Sequence, residues 1–140
     1  MQKAWALIQE WEAVVHPRAD GLDKRKNVLM NIAKNLAEGQ DPVFGRGKDC
    51  ICWYGDTYKD EFGVEQGVLT VERPKGKHQM VFINRMLVFL FAKEECFDLL
   101  AKYPKGPFRM ACKNQLCVNL GHIDTRKPPP QSEGNILCFF

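Results

Sequence analysis

In residues 1–15, Trp5, Ile8, Trp11 and Val15 recur at helical spacing, with Gln2, Lys3, Glu10 and Glu12 largely opposite, and His16-Pro17 ends the pattern. The spacing predicts an amphipathic helix with both tryptophans in the core. After the turn ADG, a second helix is expected from about Asp23, a competent N-cap, to Ala37, with Val28, Leu29, Ile32 and Leu36 on its apolar side. Lys24, Arg25 and Lys26 then fall in its first turn, where the helix dipole disfavours cations; a phosphate contact would account for the placement. Residues 39–48, GQDPVFGRGK, read as a loop. From Cys50 the pattern turns to β-branched and aromatic residues punctuated by turns. GVLTVER and HQMVFIN flank PKGK and predict a β-hairpin turned by Pro74 and Gly76. Alternation sets Thr70 and Glu72 on one face, with Gln79 a candidate for the same face and Leu69, Val71, Met80 and Phe82 candidates for packing. Asn84 to Ala101 predicts one broken helix or two short ones. Three prolines, Pro128 to Pro130, stop any later helix, and the closing ILCFF is expected to return as an edge strand.

These elements predict an α+β fold: two N-terminal helices, a small sheet containing a β-hairpin, a further helix and a loop after it. At 140 residues one domain is expected, with a helical N-terminal part at 1–38, a core at 50–123 and a tail at 124–140. Hydrophobic content of 45% with 26% charged residues fits a folded chain. The longest apolar run, Met86 to Ala92, is too short to cross a membrane, and the N-terminus carries charges where a signal peptide is apolar. An intracellular protein with reduced or metal-bound thiols is expected.

Charge changes the picture once it is resolved along the chain. Arg73, Lys75, Lys77, Arg85 and Lys93 lie in an acid-free stretch, as do Lys102, Lys105, Arg109 and Lys113. Together they carry +9 against a net +3, leaving −6 for the remainder. Such segregation is the footprint of a nucleic-acid binder, although two solvated faces would give the same count.

The candidate chemistry sits in CKNQLCVNLGH, where Cys112, Cys117 and His122 are spaced C-x4-C-x4-H. Zinc takes four tetrahedral thiolate and imidazole ligands, and this loop supplies three, with Asn114, Asn119 and Gly121 allowing it to turn sharply. Cys50 and Cys52 are candidates for the fourth, since residues two apart in a strand share a face. Cys96 and Cys138 read as core residues.

The stretch CKNQLCVNLGHI resembles the zinc loop of His-Cys-box homing endonucleases and related HNH-type nucleases, roughly H-x-C-x4-C-x-N-P-x-H-L. It equally resembles the matching stretch of Smad and nuclear factor I DNA-binding domains. CICWYGDTYKDEFGV is similar to the entry strand of such nucleases, and GVLTVERPKGKHQMVFINRMLVFLF is similar to the hairpin and following helix of the Smad domain. The resemblance covers residues 50–123 and implies a Smad-like, degenerate ββα-metal fold. It makes Cys112, Cys117 and His122 ligands of one structural zinc and favours Cys50 as the fourth. It also places the nuclease general base at Met110, whose thioether cannot take a proton from water. The metal-binding helix of the nucleases would follow His122, where this chain has DTRKPPPQ.

The expectation is therefore a non-catalytic, zinc-dependent DNA-binding domain, nuclear and regulating transcription. Its hairpin, with Arg73, Lys75, Lys77, His78 and Gln79, would enter a major groove, while Lys24, Arg25, Lys26, Lys93, Lys102, Lys105 and Lys113 contact phosphates. One alternative is a divergent Mg-dependent nuclease using His78 or His16. Another is a protein-interaction subunit of a nuclear complex, pairing with a partner or a second copy through the N-terminal helices; an exposed Trp5 or Trp11 would favour it.

Overall fold

The periodic apolar positions of the N-terminus form helix α1, Gln2–Glu12, in a computed structural model that describes residues 2–21, 24–37, 40–44, 49–72, 77–101 and 107–123. Ile8 and Trp11 are buried as the pattern requires, and the Trp11 indole donates to Asp41 Oδ1 at 3.0 Å. Trp5 departs from expectation, with 51% of its surface exposed. The reason lies in helix α2, which runs Arg25–Ala33 and stops a turn short of Ala37. Leu36 leaves the helical pattern to bridge Trp53, and the Asn35 carbonyl accepts from Tyr54 N at 2.9 Å. Glu12 pairs with Arg25 at 2.9 Å, joining the end of α1 to the start of α2, so the early turns of α1 lack the facing surface that a longer α2 would offer. Lys24, not Asp23, is the N-cap of α2; it sits in the left-handed region (φ 55°) with no side-chain cap bond.

Strands β1 (Thr57–Lys59), β2 (Glu65–Glu72) and β3 (His78–Phe82) form an antiparallel sheet in that order. Asp60 closes the first turn by accepting from Phe62 N and Val64 N, both at 2.9 Å, and Gly63 supplies the positive φ (79°) the turn needs. The two arms of the expected hairpin pair, with Glu72 opposite His78 and Val68 opposite Phe82, while Pro74 and Gly76 of its expected turn lie outside the described residues. Its register corrects the assignment of faces. Cross-strand partners share a face, so Gln79 goes with Val71 and Met80 goes with Thr70. Leu69 and Val71 are buried, whereas Met80 is exposed and Phe82 is half-buried.

The apolar stretch after β3 forms two short helices, α3 (Ile83–Phe91) and α4 (Glu94–Ala101). α3 is apolar on most sides and lies at the centre of the core, packed against β2, β3 and a 3-10 helix at Leu120–His122. Helix ends leave carbonyls unsatisfied. At the end of α3 they are met from another part of the chain by Arg18, in a 3-10 helix at Pro17–Gly21. Its guanidinium donates to Val88, Phe89 and Ala92 carbonyls at 3.3, 2.9 and 2.8 Å, and lies 4.1 Å from the centre of the Phe97 ring.

Trp53 ties the sheet to the segment before it. Its backbone N donates to Leu116 at 2.8 Å and its indole to the Asp56 carbonyl at 2.9 Å. Gly67 leaves room for the ring: a Cβ there would meet Trp53 Cδ1 at 2.7 Å and Ile83 Cγ2 at 2.8 Å. The buried apolar residues form one contiguous cluster from Ile8 to Ile123. The described residues thus make a mixed α+β fold with four α-helices and one small antiparallel sheet. Among them, no helix is long and apolar enough to cross a membrane. Arg73, Lys75, Lys102, Lys105 and the closing ILCFF lie outside the described residues. Cys96 is buried as expected.

Candidate metal centre

The loop that carries Cys112, Cys117 and His122 is closed at its base by a bridge between Met110 and Ile123, with Ala111 N donating to the His122 carbonyl at 2.6 Å. Inside it, Lys113 takes a left-handed conformation (φ 68°) and its N–H returns to the Met110 carbonyl at 2.9 Å, reversing the chain just after Cys112. Asn114 makes the next turn, its Oδ1 accepting from Leu116 N at 3.1 Å and its carbonyl accepting from Cys117 N at 3.0 Å. Asn119 is fully buried and makes the last. Its Oδ1 accepts from Gly121 N at 2.9 Å, capping the 3-10 helix that presents His122, while its Nδ2 donates to the Asp49 carbonyl at 3.1 Å. Short polar side chains satisfying nearby backbone groups make such a tight loop affordable.

That last bond reaches the segment before β1. Ile51 and Trp53 point into the core, so Cys50, Cys52 and Tyr54 face the other way. Trp53 N to Leu116 O (2.8 Å) and Val118 N to Ile51 O (2.7 Å) hold this segment antiparallel to the loop, with Cys52 opposite Cys117. One sulfur from this segment then joins the three loop donors. Cys50, Cys112, Cys117 and His122 bring their ligand atoms within 4.8 Å of one another, and Cys117 Sγ lies 3.4 Å from His122 Nδ1. Cys52 is exposed and stands outside the group.

The electrostatics of the group explain what it can do. Burial pushes the Cys117 thiol up to about 12, with backbone N–H bonds from Asn119 and Ile51 acting the other way, and burial also raises Cys50. Sulfurs so placed resist ionising together unless a cation compensates their charge. Three sulfurs and an imidazole, with no carboxylate, form a soft donor set able to hold one metal ion.

No family model, curated protein or solved structure matches the chain.

Of the other expected contact residues, Lys24, Lys26, Lys77, His78, Gln79, Lys93 and Lys113 are exposed, as is Arg109. Arg25 is not available as expected: it is held by Glu12 at 2.9 Å and Asp20 at 3.1 Å. Arg85 lies 4.4 Å from the centre of the Phe108 ring, and burial lowers its pKa. A groove of about 780 Å³ that the sequence reading passed over is lined by Tyr58, Phe62, Gln66, Phe82, Phe108 and Arg109, among others. Its buried Gln66 bonds Asp60 and Gln115, so its polar floor is already paired. The exposed aromatics Tyr58 and Phe62, flanking a turn, were the signal for it.

Proposed function

We propose that the chain is a zinc-stapled, non-catalytic domain that binds double-stranded DNA through its basic surface. The observation that carries the reading is the convergence of Cys50 with Cys112, Cys117 and His122 from two segments of chain. Three thiolates and one imidazole are a common ligand set of closed, structural zinc sites, in which all four positions come from protein. Zinc bound here would join the segment before β1 to the 112–122 loop and contribute folding free energy rather than chemistry.

The nuclease alternative fares worse. Met110, where the resemblance puts a general base, is 1% exposed and packed in the core. His16 is engaged on both nitrogens: Nδ1 accepts from Arg18 N at 3.1 Å and Nε2 is 3.2 Å from Glu94. His122 belongs to the donor group. His78 is exposed on β3, beside Lys77 and Gln79 and opposite Glu72 at the end of the strand pair where β2 leads into β3, where a base-reading role suits it better than proton transfer.

For the DNA contacts, the support is the charge segregation and the exposure of Lys77, His78, Gln79, Lys93, Arg109 and Lys113. Titration of the zinc-loaded chain with duplex DNA at two salt concentrations tests it. Salt-sensitive binding is expected, and no binding at low salt would contradict the reading. Trp5 supports a second reading, in which α1 docks a partner protein. Failure to bind DNA together with self-association or partner capture lost in Trp5→Ala would favour that one. Cleavage of plasmid with Mg²⁺ by the unmodified chain, but not by His78→Ala, would restore the nuclease.

A further inference from the structure

Cys52 is the thiol that the metal reading leaves over, and its position is specific. It is the bridge partner of Cys117, and the two flanking hydrogen bonds, Trp53 N to Leu116 O and Val118 N to Ile51 O, make this a non-hydrogen-bonded antiparallel pair. In such pairs the Cα atoms are about 4.5 Å apart and the side chains share one face. Disulfides span Cα separations of about 4.4–6.8 Å, so the backbone already meets the requirement. The two sulfurs differ sharply in access: Cys52 is an exposed free thiol, whereas Cys117 is 1% exposed.

We infer that Cys52 and Cys117 form an oxidant-sensitive dithiol pair, with Cys52 as the surface thiol that reacts first and Cys117 as the resolving thiol. A peroxide transfers one oxygen to Cys52: its O–O bond breaks, the peroxide leaves as an alcohol or water, and Cys52 becomes a sulfenic acid. The Cys117 sulfur then attacks the Cys52 sulfur. The S–S bond forms, the S–O bond breaks, and the oxygen leaves as water carrying the Cys117 proton, or a solvent proton if Cys117 is ionised. The peroxide is reduced and the two cysteines are oxidised by two electrons. Cys117 cannot be in that disulfide and donate a thiolate to the four-donor group at once. Peroxide would therefore release the metal, a consequence that rests on the zinc reading above.

The test uses the full chain in metal-free and zinc-loaded preparations, alongside Cys52→Ser and Cys50→Ser variants. Each is treated with limiting hydrogen peroxide, alkylated, and mapped without reduction by tryptic mass spectrometry, while a chromogenic chelator reports zinc. The expected result is a cross-link between the peptides of Cys52 and Cys117 in the metal-free chain. That link should persist in Cys50→Ser and disappear in Cys52→Ser, and zinc release should be at least tenfold slower in zinc-loaded Cys52→Ser. The same link or the same release rate in Cys52→Ser, or a sulfenic acid on Cys52 with no link, overturns the inference. A cross-link in a chain that never takes up zinc leaves the pair standing and removes the metal reading instead.

Discussion

Cys117 Sγ lies 3.4 Å from His122 Nδ1, five residues along the same loop. A tetrahedral zinc with bonds of about 2.3 Å to sulfur and 2.0–2.1 Å to nitrogen would hold such a pair at about 3.6 Å, and two sulfurs at about 3.8 Å. The loop therefore already has one edge of the tetrahedron, and the group as a whole, within 4.8 Å, needs only to contract.

Stability should depend on pH with opposite sign in the two metal states. Without metal, the raised folded-state pKa of Cys117 means that its contribution is intact below the ordinary thiol range and is lost as pH rises from about 9 to about 12, by a few kcal/mol. With metal, protons compete for the thiolates and the imidazole, so stability should fall as pH drops below about 6. Thermal unfolding of both forms across pH checks this; the same alkaline loss in both would count against thiolate ligation.

Asn119→Ala should loosen the site without removing a donor. The buried side chain caps the helix of His122 and bonds the Asp49 carbonyl beside Cys50, and its loss removes these two part-buried hydrogen bonds, at about 0.5–1.5 kcal/mol each. Zinc affinity should fall about 10–100-fold, as for other residues that orient ligands. Competition with a chelator of known affinity measures it.

Arg18→Ala should destabilise the fold by about 3 kcal/mol and leave zinc stoichiometry unchanged, because it removes its bonds to the Phe89 and Ala92 carbonyls, a second bond to the Val88 carbonyl and the contact with Phe97. Lysine at this position should recover little, since a point charge cannot reproduce the planar fork. Denaturant midpoints of the zinc-loaded proteins decide it.

On DNA, Lys77→Ala and Lys113→Ala should each lower the slope of log affinity against log salt by about 1, whereas Arg25→Ala should leave it unchanged, because Arg25 is held by Glu12 and Asp20. An unaltered slope in the lysine variants would place the contact elsewhere.

What the sequence showed of this architecture divides by range. Cys112, Cys117 and His122 were legible because one loop holds them, and the pairing of β2 with β3 because the two strands adjoin in sequence; which residues share a face was not, because that depends on the register. Strand periodicity alone left Cys50 and Cys52 open, since it gives both the same face; only the resemblance favoured Cys50, and the register that sets Cys52 opposite Cys117 leaves Cys50 in the donor group. α2 was read too long because Asn35 and Leu36 are drawn off by Tyr54 and Trp53, partners far along the chain. Arg18 gave no signal at all: the carbonyls it caps lie 70 residues and more away.

The most direct test of the central claim is metal content by native mass spectrometry after expression in zinc-supplemented medium, with thermal unfolding before and after a strong chelator. One zinc per chain is predicted, lost in Cys117→Ser and in Cys50→Ser but kept in Cys52→Ser, with a large drop in melting temperature on chelation. A chain that holds no metal, or that unfolds at the same temperature once verified metal-free, would contradict the account.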